Sequence, residues 1–100
     1  MLTGKQKTKL RSLANQLQPT TQVGKNGVTD NLILTISRAL EANELVKLSI
    51  LQNCLVEPKD IVKEVCTGTN SELVQLVGRV FILYKPSKNK QNRKISNSLN

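Results

Sequence analysis

Leu10, Leu13, Ala14 and Leu17 follow the i, i+3, i+4, i+7 spacing of one helix face, which predicts an amphipathic helix over about residues 4–17. Thr3-Gly4-Lys5-Gln6 fits a capping box at its start, and Pro19 stops it. Thr20 to Val23 is β-branched enough for a short strand, and Gly24-Lys25-Asn26-Gly27 reads as a turn. Thr29 is a good N-cap for a second helix over about 30–42. Leu32, Ile33, Ile36, Ala39 and Leu40 form its buried face, and Asn43 is the expected end. Leu45 to Leu51 alternates as a strand does, with Val46, Leu48 and Ile50 on one face and Lys47 and Ser49 on the other. A loop from Gln52 to Glu57 leads to Pro58 at a helix start. Ile61, Val62, Val65 and Cys66 then share a helical face, with Gly68 as the expected stop. Leu73 to Val77 and Val80 to Lys85 are strands joined at Gly78-Arg79, where glycine first suits a type II′ hairpin turn. The order is α-β-α-β-α-β-β in a single domain over 1–86, with 87–100 expected as a basic, disordered tail.

Composition narrows the class. The 100 residues are 38% hydrophobic, enough to bury one small core. No apolar run approaches the ~18–20 residues of a membrane span, and the first residues lack the apolar stretch of a signal peptide. Two cysteines, Cys54 and Cys66, lack C-x-x-C spacing, and a reduced, cytoplasmic protein is expected. With no histidine, triads built on His and His-containing zinc sites are excluded.

The net charge of +8 is segregated. Residues 1–29 hold five bases and no acid, and residues 73–100 hold six bases and no acid. All seven acids fall between them, against four bases. If the two basic ends meet in space they make one positive face, suited to a polyanion. Nucleic acid fits that segregation better than a membrane surface or mere solubility.

The informative stretch is Val23-Gly24-Lys25-Asn26-Gly27-Val28-Thr29-Asp30: strand, G-x-x-G, capped helix. Glycines let the backbone turn sharply and approach a ligand. The free N–H groups of the helix start and its dipole favour an anion, and Lys25 adds a mobile positive charge. This is the logic of a sugar-phosphate clamp, as in the GXXG loop of KH domains. Two glycines three apart are weak evidence alone; their place before a helix, inside an acid-free basic segment, gives them weight.

Four blocks in order resemble the CRM domain (chloroplast RNA splicing and ribosome maturation), in particular its small bacterial stand-alone members of the YhbY type. They are Leu2-Thr3-Gly4-Lys5-Gln6-Lys7 with Leu10 and Leu13-Ala14; Val23 to Thr29; Ala39 to Lys47; and Val77 to Pro86. The resemblance covers about residues 1–86 and implies an α+β fold. In it a four-stranded mixed sheet carries packed helices, similar to the C-terminal domain of bacterial translation initiation factor 3. It also implies a non-enzymatic protein that binds RNA and associates with precursors of the large ribosomal subunit. The family's loop falls on Gly24, Lys25, Asn26 and Gly27, and its basic first helix on Lys5, Lys7, Lys9 and Arg11. The segment Gln52 to Pro58 departs from the pattern by carrying less charge than the family leads one to expect, and no RNA contact is assigned to it.

Arg79 at the hairpin tip, Lys85 and Lys88 are further candidates for phosphate contact. Phe81 and Tyr84, the only aromatics, lie three apart on a strand and face opposite sides, so no paired stacking platform is available. Phe81 is expected in the core, Tyr84 either half-buried or stacking on a base. Cys66 is expected to pack, and Glu41/Glu44 and Asp60/Glu64 to lie on solvated helix faces. The expected partner is ribosomal RNA of large-subunit precursors, bound by a monomer with no cofactor, metal, membrane or small-molecule substrate. The rival readings are a general single-stranded nucleic-acid binder and a protein-interaction adaptor on the ribosome. Duplex DNA fits less well, since no recognition helix is evident. An enzyme fits least, since no phosphate-loop motif or catalytic pair is present.

Overall fold

A computed structural model describes residues 2–99. The elements are α1 (Gly4–Ala14), β1 (Thr21–Val23), α2 (Asp30–Asn43), β2 (Leu45–Ile50), α3 (Pro58–Thr69), β3 (Glu72–Val77) and β4 (Val80–Tyr84). A 3-10 turn over Lys90–Asn92 and a short helix, α4 (Lys94–Ser98), follow. The four strands form one mixed sheet in the order β1-β2-β4-β3. β1 runs parallel to β2 across the α2 crossover, and β4 is antiparallel to both its neighbours. The expected α+β architecture is the observed one.

The period-two pattern of β2 places the sheet between two layers. Val46, Leu48 and Ile50 join Phe81 and Leu83 under Ile36 and Leu40 of α2 and Ile61, Val62 and Val65 of α3. On the other face Leu45, Val74, Ile82 and Tyr84 receive Leu10 and Ala14 of α1. Phe81 and Tyr84 therefore face opposite sides, as their spacing requires. Both are buried, so Tyr84 is a core residue and offers no stacking surface.

Helix ends follow local chemistry. Thr3 and Gln6 form the reciprocal capping box, with Gln6 N donating to Thr3 Oγ1 at 3.2 Å and Thr3 N to Gln6 Oε1 at 2.9 Å. α1 ends at Ala14, earlier than its apolar pattern predicts; Leu17 lies beyond it and is exposed. α2 runs to Asn43 as expected, but the left-handed residue that ends it is Glu44, φ +66. α3 passes through Gly68 and ends at Thr69, capped by Asn70 at φ +54. Gly68 serves packing instead: a Cβ there would sit 2.7 Å from Ile33 Cδ1, so the glycine lets α2 and α3 approach. Gly78, φ +59, makes the predicted hairpin turn, with Arg79 at ordinary φ.

Of the segment expected as a disordered tail, residues 87–99 are ordered instead, and residue 100 lies outside the described residues. Ser87 is fully buried, and Ile95 and Leu99 pack on the α1 side of the sheet beside Leu2 and Leu13. Glu41 and Glu44, whose spacing suggests a solvated face, hold it there. Glu44 is fully buried: its Oε2 accepts from Ser87 N at 2.7 Å, and its Oε1 from Ile95 N at 3.1 Å and Ser96 N at 2.9 Å. Glu41 Oε1 accepts from Ser87 Oγ, Lys88 N and Asn89 N at 2.9–3.0 Å. The polar composition of 87–99 hides this docking, because what stabilises it is a buried carboxylate matched to backbone N–H groups. Among the described residues, no helix is long and apolar enough to cross a membrane.

Candidate nucleic-acid interface

The G-x-x-G turn is built at the end of β1. Leu51 N donates to Val23 O at 2.8 Å, tying β1 to the chain that leaves β2. Gly27 N donates to Gly24 O at 3.0 Å and closes the turn. Gly27 is buried at φ +65, which only glycine adopts without strain. Gly24 has an ordinary φ, and a Cβ there would make an ordinary 3.8 Å contact with Leu51 Cδ1. Lys25 and Asn26 form the exposed tip.

Thr29 Oγ1 accepts from Leu32 N at 3.1 Å, so one free N–H of the α2 start is already used. Asp30 adds a carboxylate to that first turn and offsets the dipole. An anion at this loop therefore rests on the turn itself and on Lys25 more than on the helix start.

Arg79 joins this end of the sheet. Its Nη1 donates to Leu51 O at 3.1 Å, and Ile50 N donates to its carbonyl at 2.7 Å. The guanidinium has five N–H donors, so one hydrogen bond leaves it able to engage a phosphate. The 51–57 loop fills the space between Arg79 and the two glycines: Val56 Cγ2 lies 3.7 Å from where a Gly27 Cβ would stand.

The other expected residues lie elsewhere. Lys5 and Lys9 are exposed on α1, while Lys7 and Arg11 are half-buried. Arg11 Nη2 donates to Thr8 Oγ1 at 3.1 Å. Lys9 Nζ donates to Ser98 O, so α1 and the C-terminal helix are neighbours and the two basic ends do meet. They meet at the end of the sheet where β4 leaves, however, and the G-x-x-G turn stands at the other end of β2. The positive groups thus form two patches. Lys88, Lys90 and Lys94 are exposed in the docked segment, whereas Arg93 Nε donates to Ser87 O at 2.6 Å. Lys85 is turned inward: its Nζ donates to Thr69 O at 3.0 Å, at the C-terminus of α3.

The end of α2 adds polar chemistry of its own. The Ser87 hydroxyl holds the Glu41 carboxyl below its ordinary range, against a smaller upward push from burial, and the Asn89 and Lys88 N–H groups and the Lys88 charge act with it. Burial pushes the Glu44 carboxyl up, but the N–H groups of Ser96, Ser87 and Ile95 together outweigh it, and the group lies below its ordinary range. Burial also raises Tyr84 and the half-buried Cys66 thiol. Cys54 and Cys66 are free thiols.

Known proteins share this geometry and its sequence. The pattern of the CRS1 / YhbY (CRM) domain matches residues 2–85. The chain is 54% identical over 92 residues to the Probable RNA-binding protein YqeI of Bacillus subtilis, covering 91% of this chain and 96% of that one. It is 32% identical over 95 residues to the Probable RNA-binding protein PA4753 of Pseudomonas aeruginosa, covering 91% of each. The solution structure of SAV1595 from Staphylococcus aureus superposes with a TM-score of 0.76 at 41% identity, covering 94% of this chain and 98% of that one. Fold and sequence agree: the chain belongs to the CRS1 / YhbY (CRM) domain family.

Proposed function

We propose that this chain is a non-enzymatic RNA-binding protein that engages ribosomal RNA of large-subunit precursors and assists their assembly. The observation that carries the RNA reading is the G-x-x-G turn. It has an exposed Lys25-Asn26 tip, a left-handed Gly27 beneath it, and Arg79 at the same end of the sheet. The relatives named for RNA binding support it. The turn holds the sugar-phosphate backbone, and Lys5, Lys9, Lys88, Lys90 and Lys94 supply attraction from the second patch. Phosphate contacts of this kind position the strand and carry no base preference by themselves. The ribosomal part rests on the family resemblance.

Fluorescence anisotropy of a labelled single-stranded RNA tests the reading. With about four to six phosphates neutralised, affinity is expected to fall about 50–300-fold between 50 and 200 mM salt. Lys25→Glu is expected to weaken binding at least tenfold with an unchanged melting temperature, because the side chain is exposed. A salt slope near zero, or full affinity in Lys25→Glu, rejects the turn as the clamp. Sedimentation of a cell lysate at low and high salt tests the ribosomal part: salt-sensitive migration with large-subunit particles is expected, and migration only at the top of the gradient opposes it.

A further inference from the structure

The 51–57 loop carries the least expected surface of the molecule. Leu55 is 91% exposed, and Leu51 and Val56 beside it are 37% and 40% exposed. Single exposed aliphatics are ordinary, but three in one short loop make a patch. The loop is also held in place. Cys54 between Leu51 and Leu55 is buried in the core, and its N–H donates to Leu51 O at 3.0 Å. Leu51 and Val56 sit at ordinary contact distance from the positions where Gly24 and Gly27 would carry a Cβ. The patch therefore abuts both glycines of the clamp, and Arg79 fixes its other side through Leu51 O. The low charge of Gln52–Pro58 has a physical counterpart here: this is an apolar shelf with Arg79 held at Leu51, Lys25 next to Gly24 in the chain, and one exposed carboxylate, Glu57, where the loop enters α3.

We propose that this shelf is a base-binding subsite, on which the nucleobases of a single strand rest while the adjacent Gly24–Gly27 turn holds its phosphates. The inference rests on the RNA reading above. Charge decides the occupant. A patch flanked by Lys25 and Arg79 suits a ligand that is anionic along one edge and flat and apolar along the other, which describes an unpaired nucleic-acid strand. A duplex keeps its base faces stacked away and presents only phosphate. The chain offers no exposed aromatic, since Phe81 and Tyr84 are both buried, so aliphatic contact takes the place of ring stacking. Leu55 supplies the largest free surface and is the residue that meets a base.

The test uses the full chain and two probes, labelled decauridylate and an abasic sugar-phosphate strand of equal length. Leu55→Ser is expected to lose about three- to tenfold in affinity for decauridylate, the scale of partial burial of one leucine side chain. Its affinity for the abasic strand is expected to equal that of the wild type. The chain contains no tryptophan, so Leu55→Trp, excited at a wavelength where Tyr84 does not absorb, provides a single tryptophan reporter at an exposed site. Its emission is expected to be quenched by decauridylate and not by the abasic strand. Equal affinity of wild type and Leu55→Ser for decauridylate, or an unmoved Trp signal while anisotropy reports binding, overturns the subsite and leaves the clamp standing. Concentration-dependent dimerisation that Leu55→Ser abolishes, with RNA affinity unchanged, assigns the shelf to a second copy of the chain. Failure of the wild type to bind either strand at low salt overturns the RNA reading itself.

Discussion

The two glycines of the turn look equivalent in sequence and are not equivalent in the fold. Gly27 is buried at φ +65, and Gly24 has an ordinary φ and room for a Cβ at ordinary contact distance from Leu51. A side chain at Gly27 meets left-handed strain of about 1–2 kcal/mol. Gly27→Ala is therefore expected to lower stability by about that amount in urea unfolding, and Gly24→Ala to lie within about 0.5 kcal/mol of wild type. Equal losses at the two sites would refute the assignment of distinct roles. A substitution at Gly27 also mixes folding with binding, which is why Lys25→Glu is the cleaner probe of the clamp. The same residue-scale view separates lysines that share a charge: Lys85 satisfies the end of α3, while Lys88 is exposed, with its charge acting on Glu41.

Among the elements, the docking of α4 depends on α2. Buried Glu44 accepts three backbone N–H groups of the C-terminal segment, and its carboxyl lies below its ordinary range despite burial. Glu41 is likewise lowered, first by the Ser87 hydroxyl. A carboxyl whose folded value is depressed contributes stability that is present above its unfolded value and lost as pH falls through the folded one. Docking of 87–99 is thus expected to be complete at neutral pH and to loosen in acid, before the sheet unfolds. Glu44→Ala is expected to reproduce the acid state at neutral pH. Amide hydrogen exchange would show lost protection at Ser87, Ile95 and Ser96, with β2 and β4 retained. Unchanged protection there in acid and in Glu44→Ala would remove the carboxylate from the explanation.

Over the whole molecule, the basic termini converge while the G-x-x-G turn stands apart from them, on a body whose longest axis is 38 Å. Two patches separated by the sheet favour a strand that runs along the molecule over a compact anion held at one point. Replacing Lys88, Lys90 and Lys94 together by Gln is expected to reduce the salt slope of single-strand binding. The slope falls by about 0.7 for each phosphate that is no longer neutralised. Thermal stability is expected to hold, since all three side chains are exposed. Truncation after Pro86 removes the same three charges and Arg93, but also uncovers Glu44 and the apolar side chains beneath Ile95 and Leu99, so it is expected to lower the melting temperature as well. If the Gln variant keeps the full slope, these three lysines do not touch RNA.

Much of this architecture is legible along the chain because its cause is local. Hydrophobic period places the three large helices and β2, β-branched and apolar stretches place the other strands, Thr3 and Thr29 announce their helix starts, and Gly78 marks the hairpin. Where local signals compete with packing, packing decides. Gly68 reads as a helix stop but is used for α2–α3 contact, and Asn70 ends α3. The candidate clamp is visible as Gly24-Lys25-Asn26-Gly27, but not which glycine takes the left-handed φ, because that depends on how the turn closes, with Gly27 N on Gly24 O, against the rest of the fold. Glu41 and Glu44 show a solvated spacing, yet Glu44 is buried, because its partners lie more than forty residues away in sequence. The order of the tail, the inward turn of Lys85 and the apolar shelf beside the turn share that origin. A sequence pattern reports which face of its own element a residue occupies; only the tertiary structure decides what lies opposite that face.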